Sequence, residues 1–356
     1  MFHIRPARIR CERSDKSCGK YVEKTGGGGR MRCRSRLEFV VFSLLIILTV
    51  HTFSAGFIYP IKNVKPRITS TFGEYRPSMT EDNPHFHMGV DLSTAYRSGV
   101  PILSITDGYI MRVDVDDNDI YGYTVYVVHD EKYILMYAHL SDFSEKLKYF
   151  AESVKREFGN RRVEIYFPKD ILKVEKGETI GYSGETGEAI APHCHLEIRS
   201  LDGKRSIDPV EIVDSLPKPN AQLEILGIRI NGEDEEVGRT VHTFEGDQAL
   251  IEVNARLKTD TNVLGIDSIE MYIDDTKVYE MKFDEIDLSD FNKADELFGR
   301  RSNASNYWYK LYASEELSMV KLNKLPDRFP GSSYVRIIVE DDWGRKKTLK
   351  FKLVRR

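Results

Sequence analysis

From about Ile58 to Val213 the chain is cut into short pieces by glycines, among them Gly108, Gly122, Gly177, Gly181, Gly184 and Gly187. The pieces between them are rich in β-branched and aromatic residues, as in Val100-Pro-Ile-Leu-Ser-Ile105, Tyr123–His129 and Tyr133–Tyr137. Short runs of that kind between glycine turns predict an antiparallel β-domain. One stretch breaks the rhythm. Between Ser144 and Phe158, residues Leu147, Phe150, Ala151, Val154 and Phe158 recur at helical spacing among Lys, Glu and Arg. The spacing predicts one amphipathic helix, 144–158, inserted between strands, its apolar stripe packed on the sheet rather than serving as a lid.

At 356 residues the chain is long for one core, and two domains are expected. Pro217 and Pro219 mark a linker over 214–222. Beyond it, 223–356 is β-rich again: Ile251, Val253, Ala255 and Leu257 alternate with polar residues. Ile269–Ile273 and Val278–Phe283 flank an Asp-Asp turn, and two further runs flank Asp341-Asp342-Trp343-Gly344. These read as hairpins of a small sandwich, immunoglobulin-like in character. Residues 284–330 are irregular. The Tyr307-Trp308-Tyr309 cluster reads as core rather than as a glycan surface.

Residues 31–56 have the pattern of an export signal: Arg32, Arg34 and Arg36, an apolar run from Phe39 to Val50, then Ser54-Ala55-Gly56. The run falls short of the roughly 20 residues a membrane span needs. Residues 1–30 read as an extension upstream of the true start at Met31. Residues 1–56 hold 11 Lys/Arg against 4 Asp/Glu, which leaves a net charge of −11 on the rest and excludes nucleic acid as the expected partner. Three of the four cysteines precede the cleavage site, so the mature chain keeps only Cys194 and forms no internal disulfide.

Seven of the nine histidines remain in the mature chain. His193-Cys194-His195 reads as a strand, and alternation puts both imidazoles on one face with Cys194 turned into the core. His87-Met-Gly-Val-Asp91 offers an imidazole and a carboxylate, both good zinc donors, on an extended segment. Tyr137-Ala-His139-Leu140 ends an apolar strand. His87, Asp91 and one histidine of the 193/195 pair make a three-donor set. Such a set leaves a fourth tetrahedral position for water, which is the mark of a catalytic rather than a structural zinc site. His85 reads as a bystander, and His129 and His242 as structural.

His87-x-Gly-x-Asp91-Leu92, Tyr137-x-His139-Leu140, Gly181-x-Ser-Gly-x-Thr-Gly187 and Pro192-His-x-His195-Leu-Glu197 occur in that order. As an ordered set they resemble the lysostaphin/LytM-type zinc endopeptidases. Ile68-Thr-Ser-Thr-Phe-Gly73 with Arg76, and Asp208-Pro209, resemble the beginning and end of the same domain. The resemblance covers about 60–213 and implies a compact antiparallel β-sheet peptidase domain over 57–213. It also implies one Zn2+ per chain held by His87, Asp91 and His195, with His139 and His193 as catalytic residues beside an activated water. The implied function is an exported metalloendopeptidase of the periplasm, cell envelope or extracellular space that cuts the peptides of cell-wall peptidoglycan. The alternative is a non-catalytic wall-binding or amidase-activating module of the same fold. The insertion separates His139 and His193 more widely than the family usually does, which bears on groove shape and substrate choice.

Overall fold

The computed structural model describes residues 8–11, 56–77, 84–116, 119–159, 161–169 and 171–356. The export signal expected over 31–56 lies outside the described residues except for Gly56. The extension 1–30 does too, apart from Arg8–Cys11, which pair as an edge strand with Val163–Tyr166.

The first lobe is built on β1 (Val90–Ser93), β2 (Gly108–Val115), β3 (Tyr123–His129), β4 (Tyr133–Phe143), α1 (Glu145–Phe158), β5 (Thr179–Ser183), β6 (His193–Ser200) and β7 (Arg205–Ile207). Its spine runs Val163–Tyr166, β2, β3, β4, β6, and the far edge of β6 is shared by β1 and β7. Every pairing is antiparallel. Alternation along these strands gives the sheet two different faces. Val113, Val125, Tyr137, Leu140, Cys194 and Leu196 point into the larger core. Tyr126, Val128, Ile134, Met136 and Ala138 form a smaller cluster on the other face.

The expected insertion is α1, with Ser144 at its N-cap and Gly159, at φ 64°, closing it by donating to the Lys155 carbonyl. Glu145 sits in its first turn and Lys155 and Arg156 in its last, charges that suit the helix dipole. Leu147, Ala151 and Val154 are buried in the larger core, so the apolar stripe packs on the sheet.

The second lobe is a two-sheet sandwich of β8 (Ala221–Ile230), β9 (Ile251–Thr259), β10 (Ser268–Ile273), β11 (Thr276–Lys282), β12 (Ser332–Glu340) and β13 (Lys346–Arg355), with shorter strands at the edges. β8 begins at Ala221, so the last two residues of the expected linker are already strand. Asp274 and Asp275, at φ 46° and 68°, make the tight turn between β10 and β11. The irregular 284–330 segment holds a 3-10 turn at Leu288–Asp290, a short helix at Ala294–Leu297, and strands Trp308–Lys310 and Val320–Asn323. Tyr307, Trp308 and Tyr309 are buried, as core residues should be. His129 bonds Thr106 and the Asp107 carbonyl, and buried His242 bonds Glu235, so both find structural partners.

The sandwich core continues into the first lobe. Phe72, Tyr75, Phe86 and Met88 belong to it, with the Phe86 ring set between Phe283 and Phe298. Backbone pairing of β7 with Glu285–Asp287 joins the lobes a second time.

Along that seam Asp208, Asp267 and Asp342 line one pocket, and Asp342 Oδ2 is sealed from water with no hydrogen-bond partner. Burial pushes Asp208 and Asp342 up from the usual carboxylate range, the Asp267 charge adds to both and the Asp208 charge to Asp342, and burial takes Asp267 up to about 6. The folded state therefore keeps protons that an unfolded aspartate releases near pH ~4. The stability this brings is complete below that pH and is lost as pH rises through about 6 and beyond. Asp342→Asn, which cannot ionise, should show a shallower fall in melting temperature between pH 5 and 8 than the wild type. Equal slopes in thermal melts would refute this account.

Candidate metal centre

The site lies where β1 and β6 run side by side on the face opposite the larger core. His193 and His195 alternate with core residues Cys194 and Leu196, and Asp91 alternates with Val90 and Leu92. Pairing sets His195 directly across from Asp91. His87 approaches from the segment before β1. Gly89 permits this approach, because a Cβ there would lie 2.4 Å from the Leu196 carbonyl oxygen and 2.9 Å from His195 Nε2.

Three donor atoms converge. His87 Nε2 lies 3.0 Å from Asp91 Oδ1 and 3.0 Å from His195 Nδ1, and His195 Nδ1 lies 3.1 Å from Asp91 Oδ1. Among the described residues this is the one group of three or more His, Cys, Asp or Glu side chains close enough to hold a metal ion. Each ring is oriented from behind. His87 Nδ1 donates to the Thr71 carbonyl at 2.8 Å, which leaves Nε2 bare for a ligand. His195 turns Nε2 toward Glu197 Oε2, 3.5 Å away, and Arg199 pairs with that same carboxylate. Burial drives Glu197 up, but Arg199 and His195 outweigh it and hold the carboxyl down at about 2. Glu197 is therefore a permanent anion behind the ring. Burial lowers His195, but Asp91 and Glu197 raise it further, whereas burial and the Arg76 charge lower His87. Two nitrogens and an anionic oxygen at this spacing suit a divalent ion of the zinc type.

His139 and His193 flank the trio. Their ring centroids are 4.8 Å apart, and His193 Nε2 reaches 3.3 Å from Asp91 Oδ1. His193 Nδ1 is tied to the Ala191 carbonyl and His139 Nδ1 to the Thr186 carbonyl. In a regular strand His139 would follow Tyr137 into the larger core. A register shift in β4 prevents this: Tyr123 pairs with Leu140 but Val125 with Tyr137. The extra residue is a bulge, His139 takes φ 58°, and its ring is re-aimed at the site. Burial, with the neighbouring His193 and His195, pushes His139 well below the ordinary imidazole value. The bulge is braced by Thr186, whose hydroxyl accepts from the Tyr123 amide and donates to the Leu140 carbonyl.

His85 lines the same groove, stacked against Phe291 at 4.7 Å, and is not among the three donors. The groove has a volume of about 360 Å3. Tyr96 and Ile190 stand exposed on its rim, and Asn262, Phe291 and Ala304 come to it from the sandwich. The sequence did not single out Glu74 or Tyr121 here, and it noted Thr71 and Arg76 only as parts of a motif. Their weight comes from contacts with residues far along the chain.

Residues 85–156 match the family model described as Peptidase family M23. The first lobe therefore carries a match to family M23. The DD-carboxypeptidase/endopeptidase Mpg of Neisseria meningitidis serogroup B is 32% identical over 161 residues, covering 44% of this chain and 30% of the relative. An uncharacterized metalloprotease of Haemophilus influenzae is 28% identical over 166 residues, covering 45% and 28%. The matched stretch thus spans under a third of either relative. The catalytic domain of lysostaphin from Staphylococcus simulans, 21% identical, superposes with a TM-score of 0.29 over 41% of this chain and 90% of that one. No helix among the described residues is long and apolar enough to cross a membrane.

Gly89→Ala tests the close approach that lets His87 meet His195. Overpacking should cost about 1–3 kcal/mol of stability. The new methyl should also displace the His195 ring, so zinc uptake measured by calorimetry should weaken more than tenfold. Unchanged zinc binding would show that the approach is looser than described.

Proposed function

We propose that the chain is an exported zinc endopeptidase that hydrolyses peptide bonds in cell-wall peptidoglycan. In this reading His87, Asp91 and His195 hold one Zn2+, and His139 and His193 are the catalytic side chains. Residues 31–56 serve as the export signal, 57–213 as the peptidase domain, 214–222 as the linker and 223–356 as the sandwich domain. The observation that carries the reading is the triangle of His87 Nε2, Asp91 Oδ1 and His195 Nδ1, with sides of 3.0–3.1 Å, overlooked by two further imidazoles. Two surplus histidines suit proton transfer better than a purely structural metal would require.

When bound, zinc supplies Lewis acidity, polarising the scissile carbonyl and making water available as a nucleophile near neutral pH. The protein's own groups supply the rest. The Thr71 carbonyl and the Glu197 carboxylate fix which nitrogen His87 and His195 present. His139, with its Nδ1 hydrogen held by Thr186, keeps a free lone pair on Nε2 and is placed to take the proton of the attacking water. Its lowered affinity for protons keeps it ready for that task below the ordinary imidazole range. His193, tied through Nδ1 to Ala191, presents Nε2 to the cleft and in its protonated form can hydrogen-bond the carbonyl oxygen as charge builds there. The apolar rim at Tyr96 and Ile190 offers contact for the residues flanking the scissile bond.

Purified peptidoglycan sacculi digested with the zinc-loaded protein, with fragments identified by mass spectrometry, should show cleaved stem or bridge peptides. Intact peptides would point to a non-catalytic module. His193→Ala and His139→Ala should each cut turnover by about 100-fold or more, in line with general acid–base contributions, while leaving zinc bound. Asp91→Ala should lose the metal itself, which metal analysis can check. The acid limb of the kcat profile should fall below about pH 6.5, because His139 stays unprotonated lower than a free imidazole does. An acid limb above that value would remove His139 as the base.

A further inference from the structure

Glu74 stands at the junction of the sandwich and the metal centre. It is 1% exposed, and its carboxylate receives five donors. Oε1 accepts from the Thr71 amide at 2.7 Å, the Thr71 hydroxyl at 2.9 Å and the Gly265 amide at 2.9 Å. Oε2 accepts from Arg76 Nη1 at 2.8 Å and from the Tyr307 hydroxyl at 3.1 Å. Two of these donors, Gly265 and Tyr307, belong to the sandwich. Arg76 directs its other terminal nitrogen to Asp91 Oδ2 at 3.3 Å, the oxygen that the histidines leave free. The Thr71 carbonyl meanwhile holds His87 Nδ1. One buried carboxylate thus braces the backs of two of the three donor side chains.

We propose that the C-terminal sandwich is a positioning element of the metal centre, with Tyr307 and Gly265 fixing Glu74, Glu74 fixing Arg76, and Arg76 fixing Asp91. This rests on the zinc-site reading above and gives the sandwich a part in it. The geometry is tight on the sandwich side, where a Cβ on Gly265 would lie 2.8 Å from Glu74 Cγ. The Tyr307 ring is wholly buried, so its hydroxyl has nowhere else to turn than Glu74 and the Ala304 carbonyl. Without Tyr307 and Glu74 holding one end, the Arg76 fork can close on Asp91 with both terminal nitrogens and draw charge away from Oδ1. Partners behind a metal ligand commonly govern affinity in this way.

The test uses the full chain stripped of metal and titrated with zinc against a competing chelator. Glu74→Gln, which keeps the shape but loses the charge, should raise the zinc dissociation constant about 10- to 100-fold. Tyr307→Phe removes only the hydroxyl that Glu74 shares with the Ala304 carbonyl, leaves the ring volume unchanged, and should raise it about 3- to 10-fold. Near-UV circular dichroism of the metal-free Tyr307→Phe protein should match the wild type, which separates positioning from unfolding. If Glu74→Gln does not fold, Tyr307→Phe alone decides. Arg205→Gln removes an exposed ion pair to Glu285 elsewhere on the same seam and should leave zinc affinity unmoved. Unchanged affinity in Tyr307→Phe, or an equal loss in Arg205→Gln, overturns the inference. Wild-type protein that takes up no zinc overturns the metal site and this inference together, so the two failures are distinguishable.

Discussion

A single carboxylate oxygen organises this molecule. Asp91 Oδ1 has His87 Nε2, His195 Nδ1 and His193 Nε2 within 3.3 Å, and His139 stands one ring beyond. Imidazoles packed this closely repel one another when protonated, so protons alone are a poor way to satisfy the cluster. A divalent ion would be a better one, since it would take the bare nitrogens and the anionic oxygen together and displace the protons. The rest of the site fixes the outward-facing nitrogen of each ring: Thr71, Thr186 and Ala191 offer carbonyls, and Glu197 offers a carboxylate. Four rings can point at one place only because each is held from behind.

The sheet makes that arrangement possible by keeping its two faces chemically distinct. Val90, Leu92, Cys194 and Leu196 anchor β1 and β6 in the larger core, and the alternate residues Asp91, His193 and His195 are thereby forced to the other side. This much was legible in the sequence, because a period of two needs no tertiary information. The burial of Cys194, the inserted helix, the turn at Asp274–Asp275 and the core role of Tyr307–Tyr309 were legible for the same reason: each follows from local pattern.

What was not legible depends on partners distant along the chain. Alternation alone would have sent His139 into the core beside Tyr137. Its exposure to the site follows from a bulge that Thr186, 47 residues on, helps to hold. Nothing local to Glu74 in the sequence shows that Gly265 and Tyr307 reach it. The sandwich likewise read as a separate module behind a proline linker. Phe72, Tyr75, Phe86 and Met88 give little sign in sequence that their packing surface lies some two hundred residues away.

The inserted helix and the sandwich therefore have opposite bearings on the groove. The helix widens the sequence gap between His139 and His193, a gap expected from the sequence to bear on groove shape and substrate choice. Yet Leu147, Ala151 and Val154 all face the larger core, on the side of the sheet away from the histidines. The helix can lengthen the chain between two site residues without moving either, because both strands that carry them are pinned by the same core. The sandwich lies beyond the resemblance to known peptidases, yet it contributes Phe291, Asn262 and Ala304 to the groove wall and two donors to Glu74. Distance in sequence from the motifs is thus a poor guide to influence on the site. What decides it is which face of the sheet a segment packs against, and here the site face is the one the sandwich helps to enclose.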